Sequence, residues 1–122
     1  MGKKEPFGWH LMLDLSGCDL VVMTDYKAIE HFAGEFCRVI EMKAFGKPFI
    51  EKFGASGSVA EGYSLVQLIE TSAMVAHFSD KTGAIYFDIF SCKEFDPKEA
   101  KKFTVGYFKA RKSKSRFIPR GE

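Results

Sequence analysis

Leu11, Leu13 and Leu15 alternate with His10, Met12 and Asp14, the period-two pattern of a strand buried on one face. Ser16-Gly17-Cys18-Asp19 then reads as a turn. From about Asp25, Ile29, Phe32, Phe36 and Val39/Ile40 recur at helical spacing, which predicts an amphipathic helix ending before Gly46-Lys47-Pro48. Residues 53–62 hold Gly54, Ser56, Gly57, Ser58 and Gly62, so this stretch reads as a loop. Ser64 to Glu70 and Met74 to Phe78 are strand-like, and Asp80-Lys81-Thr82-Gly83 makes a hairpin turn after them. In the next strand Ile85, Phe87 and Ile89 face one way, and Tyr86, Asp88 and Phe90 the other. Asp96-Pro97-Lys98-Glu99 opens a helix, with Asp at the cap, Pro at the first helical position and Glu three after the cap. Ala100, Phe103, Tyr107 and Ala110 give that helix an apolar stripe, and Ser115 to Pro119 predicts a short final strand. The order is strand, helix, a block of strands, helix, strand. It predicts an α+β two-layer sandwich, a mainly antiparallel sheet with two helices on one face.

Composition changes this picture little. At 122 residues the chain is one domain's worth of polypeptide and can bury a core without disulfides. The longest apolar runs fall far short of the roughly 20 residues of a membrane-spanning helix. The basic opening Met1-Gly2-Lys3-Lys4 has no apolar segment behind it, so no leader peptide is expected. Cys18, Cys37 and Cys92 are an odd number without paired spacing, which argues for reduced thiols and a cytoplasmic protein. His10, His31 and His77 are scattered, and no ligand spacing suggests a metal. Half of the 18 basic residues lie from Lys98 onward, but a solvated helix and strand explain them better than a nucleic-acid partner.

Taken residue by residue, the chemistry is quiet. Glu70-Thr71-Ser72-Ala73-Met74 is not a nucleophile elbow. His77 and Cys92 read equally well as structural side chains.

Several ordered motifs together say more. Phe7-Gly8-Trp9-His10-Leu11 and Ser16-Gly17-Cys18-Asp19 resemble the opening strand and Gly-Cys-Asp turn of the prokaryotic S-adenosylmethionine decarboxylase proenzymes, a family of pyruvoyl-dependent decarboxylases. Ile69-Glu70-Thr71-Ser72 sits where that family cuts itself, and His77 follows where its processing histidine does. Asp88-Ile89-Phe90-Ser91-Cys92 resembles its Asp-Val-Phe-Thr-Cys motif, Asp96-Pro97 its helix start, and Ile118-Pro119-Arg120-Gly121 its last strand.

The resemblance implies a set of roles. Ser72 attacks the Thr71 carbonyl, splitting one domain into a β chain of residues 1–71 and an α chain of residues 72–122. Ser64 and His77 match the family's processing pair, with His77 driving ester elimination. The new N-terminus at position 72 then carries a pyruvoyl group, which forms a Schiff base with the substrate amine and acts as electron sink. Cys92 matches the proton donor. The product implied is decarboxylated S-adenosylmethionine, the aminopropyl donor for spermidine, and the working unit implied is a homodimer of processed protomers.

Three features depart from the family. Thr71-Ser72-Ala73 replaces the usual Glu-Ser-His. Lys81 stands where the family has a ribose-binding Glu, with Asp80 beside it. The position of the adenine-stacking aromatic falls on Ser58, and Phe53 is the nearest upstream aromatic. Phe7, Trp9, Phe53 and Asp80 are therefore the substrate-binding candidates. The alternatives are a relative acting on ornithine or arginine, and an unprocessed partner subunit.

Overall fold

The computed structural model describes residues 5–121, so Met1–Lys4, on which the leader expectation partly rests, and Glu122 lie outside it. Its elements run β1 (Gly8–Ser16), α1 (Leu20–Met23), α2 (Tyr26–Val39), β2 (Phe49–Phe53), β3 (Gly62–Ile69), β4 (Ser72–Ser79), β5 (Ala84–Ser91), α3 (Pro97–Phe108) and β6 (Lys112–Arg120). The six strands form one sheet in the order β2-β3-β4-β5-β1-β6, antiparallel at every pairing. This is the α+β sandwich that the pattern predicts.

The alternation explains the layering. Leu11, Leu13, Leu15, Leu65, Met74, Ala76, Ile85, Phe87 and Ile89 are all buried, and they point at the helices. Ile29, Phe32, Phe36 and Cys37 of α2 return the contact with Ala100 and Phe108 of α3. Phe32 sits at the centre, stacked on Phe103 with ring centroids 5.7 Å apart and edge-on to Phe87 at 5.9 Å. Asp25 caps α2 by accepting from the Ala28 N–H, and Asp96 caps α3 by accepting from the Lys98 and Glu99 N–H groups.

Several boundaries differ from the sequence expectation: α1 is an added turn of helix, and β4 begins at Ser72, two residues before Met74, where its pairing with Ile69 and Ser91 extends it. Strand β2 was not expected. It is an edge strand with only Ile50 buried, so its alternation carries little hydrophobic contrast. Strand β6 begins at Lys112, because its ladder with β1, from Ser16↔Lys112 to Gly8↔Arg120, extends it through a polar run. Helix α3 ends at Phe108, where Lys109 turns left-handed (φ 52°), leaving Ala110 outside; the deepest face is Ala100, Thr104 and Phe108.

The other sheet face carries no helix among the described residues. Leu68, Tyr86, Phe49 and Phe53 are each about half exposed there, beside His10, bonded to Asp88 at 3.0 Å. Among the described residues no helix is long and apolar enough to cross a membrane.

Candidate active site

Ser72 opens β4, directly after the two-residue turn Glu70-Thr71 that joins it to Ile69 of β3. Thr71 is left-handed (φ 71°), which a β-branched side chain adopts only at a cost of about 1–3 kcal/mol. The turn is gripped from outside: the Glu70 N–H donates to the Lys43 carbonyl at 3.0 Å, and the Phe45 N–H to the Leu68 carbonyl at 2.8 Å. The Thr71 hydroxyl is spent on the Glu70 carbonyl. The left-handed residue therefore stands immediately before the Thr71–Ser72 bond, in a turn held by neighbouring backbone.

The carbonyl of that bond is equally well defined. The Thr71 oxygen accepts from the Cys92 N–H at 2.9 Å and from the Cys92 thiol at 3.1 Å. Two donors converging on one carbonyl favour negative charge on its oxygen, which is what an acyl shift must stabilise. Ladder pairing between β4 and β5, including Ser72↔Ser91, brings Cys92 there across 20 residues of sequence from Ser72 (92 − 72 = 20). Cys92 is exposed, whereas Cys18 and Cys37 are buried; burial pushes the Cys18 thiol up to about 11 and raises that of Cys37.

The Ser72 hydroxyl lies 2.6 Å from the Ser91 hydroxyl and 3.1 Å from the Met42 sulfur. Ser91 is fully buried and folded onto Lys93, donating to its carbonyl at 2.6 Å and accepting from its N–H at 2.9 Å. Lys93 in turn bonds the Glu41 carbonyl at 3.0 Å. Beside the turn opens a cleft of about 410 Å³, lined by Glu41, Met42, Lys43, Glu70, Thr71 and Lys93.

Ser64 and His77 form a second cluster. They are register partners on β3 and β4, with the Ser64 hydroxyl 3.0 Å from His77 Nδ1. Five residues of strand separate Ser72 from His77, about 16 Å, and an odd spacing sends the two side chains to opposite faces. Within one protomer the structure joins Thr71, Ser72 and Cys92, and it joins Ser64 and His77, but it does not join the two groups.

The substrate-binding candidates divide in the same way. Trp9 is the register partner of Ser91 and is packed partly into the core. Phe7 is exposed and stacked on Phe90 at 6.4 Å, at the same end of the sheet. Phe53 closes β2 opposite Gly62, at the His77 end. Asp80 is held there by Lys52 at 3.3 Å, and its other oxygen is buried without a partner. It is thus committed to an ion pair. Ser91 and Met42 carry no sequence signal of a role here: Ser91 lies within Asp88-Ile89-Phe90-Ser91-Cys92, but only the fold shows that both touch Ser72.

Comparison with known proteins gives a consistent answer. Two Clostridium botulinum proteins, each named S-adenosylmethionine decarboxylase proenzyme and taken from two strains, are 29% identical over 93 residues, covering 75% of this chain and 75% of theirs. The crystal structure of the adenosylmethionine decarboxylase of Aquifex aeolicus VF5 superposes with a TM-score of 0.81 at 16% identity, covering 98% of this chain and 94% of that one, which establishes the shared fold. The family model for S-adenosylmethionine decarboxylase matches residues 9–121, and the chain belongs to that family.

Proposed function

We infer that this protein is a self-processing S-adenosylmethionine decarboxylase that cuts itself between Thr71 and Ser72. The observation that carries the reading is the Thr71 carbonyl oxygen. It receives both the N–H and the S–H of Cys92, so two oxyanion donors converge on the bond that the motif marks, and Ser72, the next residue, supplies the hydroxyl. Attack by Ser72 turns the peptide into an ester; relief of the left-handed Thr71 and charge donation from Cys92 both favour it. His77 then takes the Ser72 α-proton as the ester is eliminated, a task suited to an imidazole. The residues present fit a pyruvoyl group at position 72, which supplies an electron sink next to the carbon that loses carbon dioxide. The Cys92 thiol, exposed at the same spot, holds the proton that returns to that carbon.

The two-cluster geometry favours a homodimer. If two open sheet faces meet about a two-fold axis, one copy's Ser72 end lies against the other's His77 end, and the reverse holds by symmetry. The partner's Ser64–His77 pair then serves the cut that its own chain cannot reach. Three unpaired cysteines, one of them exposed, suit the cytoplasm.

The test is the intact mass of the purified protein together with turnover. Two pieces of 71 and 51 residues are expected (122 − 71 = 51), the shorter one blocked at its N-terminus. Carboxyl-labelled S-adenosylmethionine should release labelled carbon dioxide. A permanently full-length chain would support the partner-subunit alternative. Turnover of ornithine or arginine in its place would shift the substrate and implicate Lys81.

A further inference from the structure

We propose that Ser91 is a positioning residue for self-cleavage, one that fixes the direction of the Ser72 hydroxyl proton; this rests on the self-processing reading above. A serine hydroxyl has one proton to give and two lone pairs to receive with. Around Ser91 Oγ, the Lys93 carbonyl at 2.6 Å can only accept, and the Lys93 N–H at 2.9 Å can only donate. The Ser91 proton therefore goes to the Lys93 carbonyl, and one lone pair goes to the Lys93 N–H. A single site remains on that oxygen, a lone pair facing Ser72 Oγ at 2.6 Å. Ser72 must be the donor in that bond; the Met42 sulfur, 3.1 Å from Ser72 Oγ and 3.7 Å from Ser91 Oγ, is a weak acceptor that yields the Ser72 proton to the shorter O–H···O contact.

The consequence for the reaction is specific. With its proton directed at Ser91, the Ser72 oxygen keeps its own lone pairs free for attack. In the shift, the bond from Ser72 Oγ to the Thr71 carbonyl carbon forms and the Thr71–Ser72 C–N bond breaks. The C–N electron pair stays on nitrogen, and the hydroxyl proton finally resides on that nitrogen as the amine leaves. Nothing is oxidised or reduced. Ser91 is not the final base; it orients the hydroxyl and takes up charge as the O–H bond lengthens. The site is built for one orientation: Ser91 is fully buried, register-paired with Ser72 on one side and with Trp9 on the other, and no solvent competes for its last lone pair.

The experiment follows full-length chain over time in wild type, Ser91→Ala and Ser91→Thr, each with and without hydroxylamine, which cleaves esters but not ordinary peptides. Melting temperatures are recorded alongside. Ser91→Ala should slow the cut by about tenfold or more, the effect of losing one oriented hydrogen bond. Hydroxylamine should not rescue it, because the ester itself forms slowly. Ser91→Thr, which keeps the hydroxyl, should cut at close to the wild-type rate. Ser91→Ala at wild-type speed would overturn the proposal, and so would full rescue by hydroxylamine, which places the defect after the ester. Equal slowing in Ser91→Ala and Ser91→Thr with matching losses of melting temperature would reduce Ser91 to a structural staple. An uncut wild type would refute the self-processing reading itself, a distinct failure that removes this proposal with it.

Discussion

The two ends of strand β4 are built on different principles. At its start, Thr71, Ser72, Ser91 and Cys92 are locked: backbone ladders, a left-handed turn and a buried hydroxyl hold their polar atoms on fixed partners. Five residues on, His77 is exposed, and its one side-chain bond is to Ser64. The first end has what bond rearrangement requires, fixed geometry and strain. The second has what proton transfer between surfaces requires, an accessible imidazole on an uncovered face. Chemistry that needs both must bring them together across a boundary that one protomer does not bridge.

The largest effect expected is at the locked end. Ser72→Ala should leave a single uncut chain by mass at any incubation time, since no other side chain can form the ester. Any cut at residue 71 in that variant would break the assignment.

The boundary itself can be tested next. Ser72→Ala and His77→Ala chains should each remain uncut or nearly so when made alone. Co-expressed, the His77→Ala chain should be cut, because its intact Ser72 can meet the other copy's His77. If mixing restores nothing, the pair serves its own chain and the two ends must approach by another motion.

Strain should be worth less than either group. Thr71→Gly tolerates the left-handed turn without penalty, so the cut should slow by about tenfold if about 1.4 kcal/mol of strain is released on attack. Unchanged kinetics would mean that the turn is only a hairpin. Cys92→Ala keeps the backbone N–H on the Thr71 carbonyl, so it should still split appreciably while losing most decarboxylation, read as labelled carbon dioxide per cut chain.

The smallest effect separates the thiols. Cys18 lies at the far end, its N–H bonded to the Gly83 carbonyl, and burial raises its thiol from 9.0 to about 11. The folded chain thus keeps a proton that the unfolded chain releases. Stability should be undiminished below about pH 9 and fall as pH rises toward about 11. Denaturant midpoints in wild type and Cys18→Ala would check this, and equal slopes in the two would refute it.

Much of the fold was legible because burial imposed periodicity. The inward leucines of β1, the alternation in β5 and the Asp96-Pro97 cap all carried their signal locally. Strand β2 and the first half of β6 carried none, since edge strands are held by ladders to neighbours and not by their own contrast. The site divides similarly. Ser72, His77 and Cys92 were found through ordered motifs. The odd spacing from Ser72 to His77 already places them on opposite faces of a strand, once β4 is accepted as one. The grip of Ser91 on Ser72 has no local signature, because it joins residues 19 apart through a ladder.

The strand order has a last consequence. Residues 1–71 supply β1, β2 and β3, and residues 72–122 supply β4, β5 and β6, yet the sheet reads β2-β3-β4-β5-β1-β6. After a cut at 71–72, β1 is clasped between two strands of the other fragment, and β4 still leans on β3. The fragments are interlaced like the fingers of two hands, and three ladders must fail before they part. The uncut precursor folds as a unimolecular object. A chain cut at that bond, once unfolded, would have to find its other half by diffusion, so recovery would become second order in concentration. Under the proposed cut, folding has to come first, and cutting would make unfolding, in dilute solution, a one-way event.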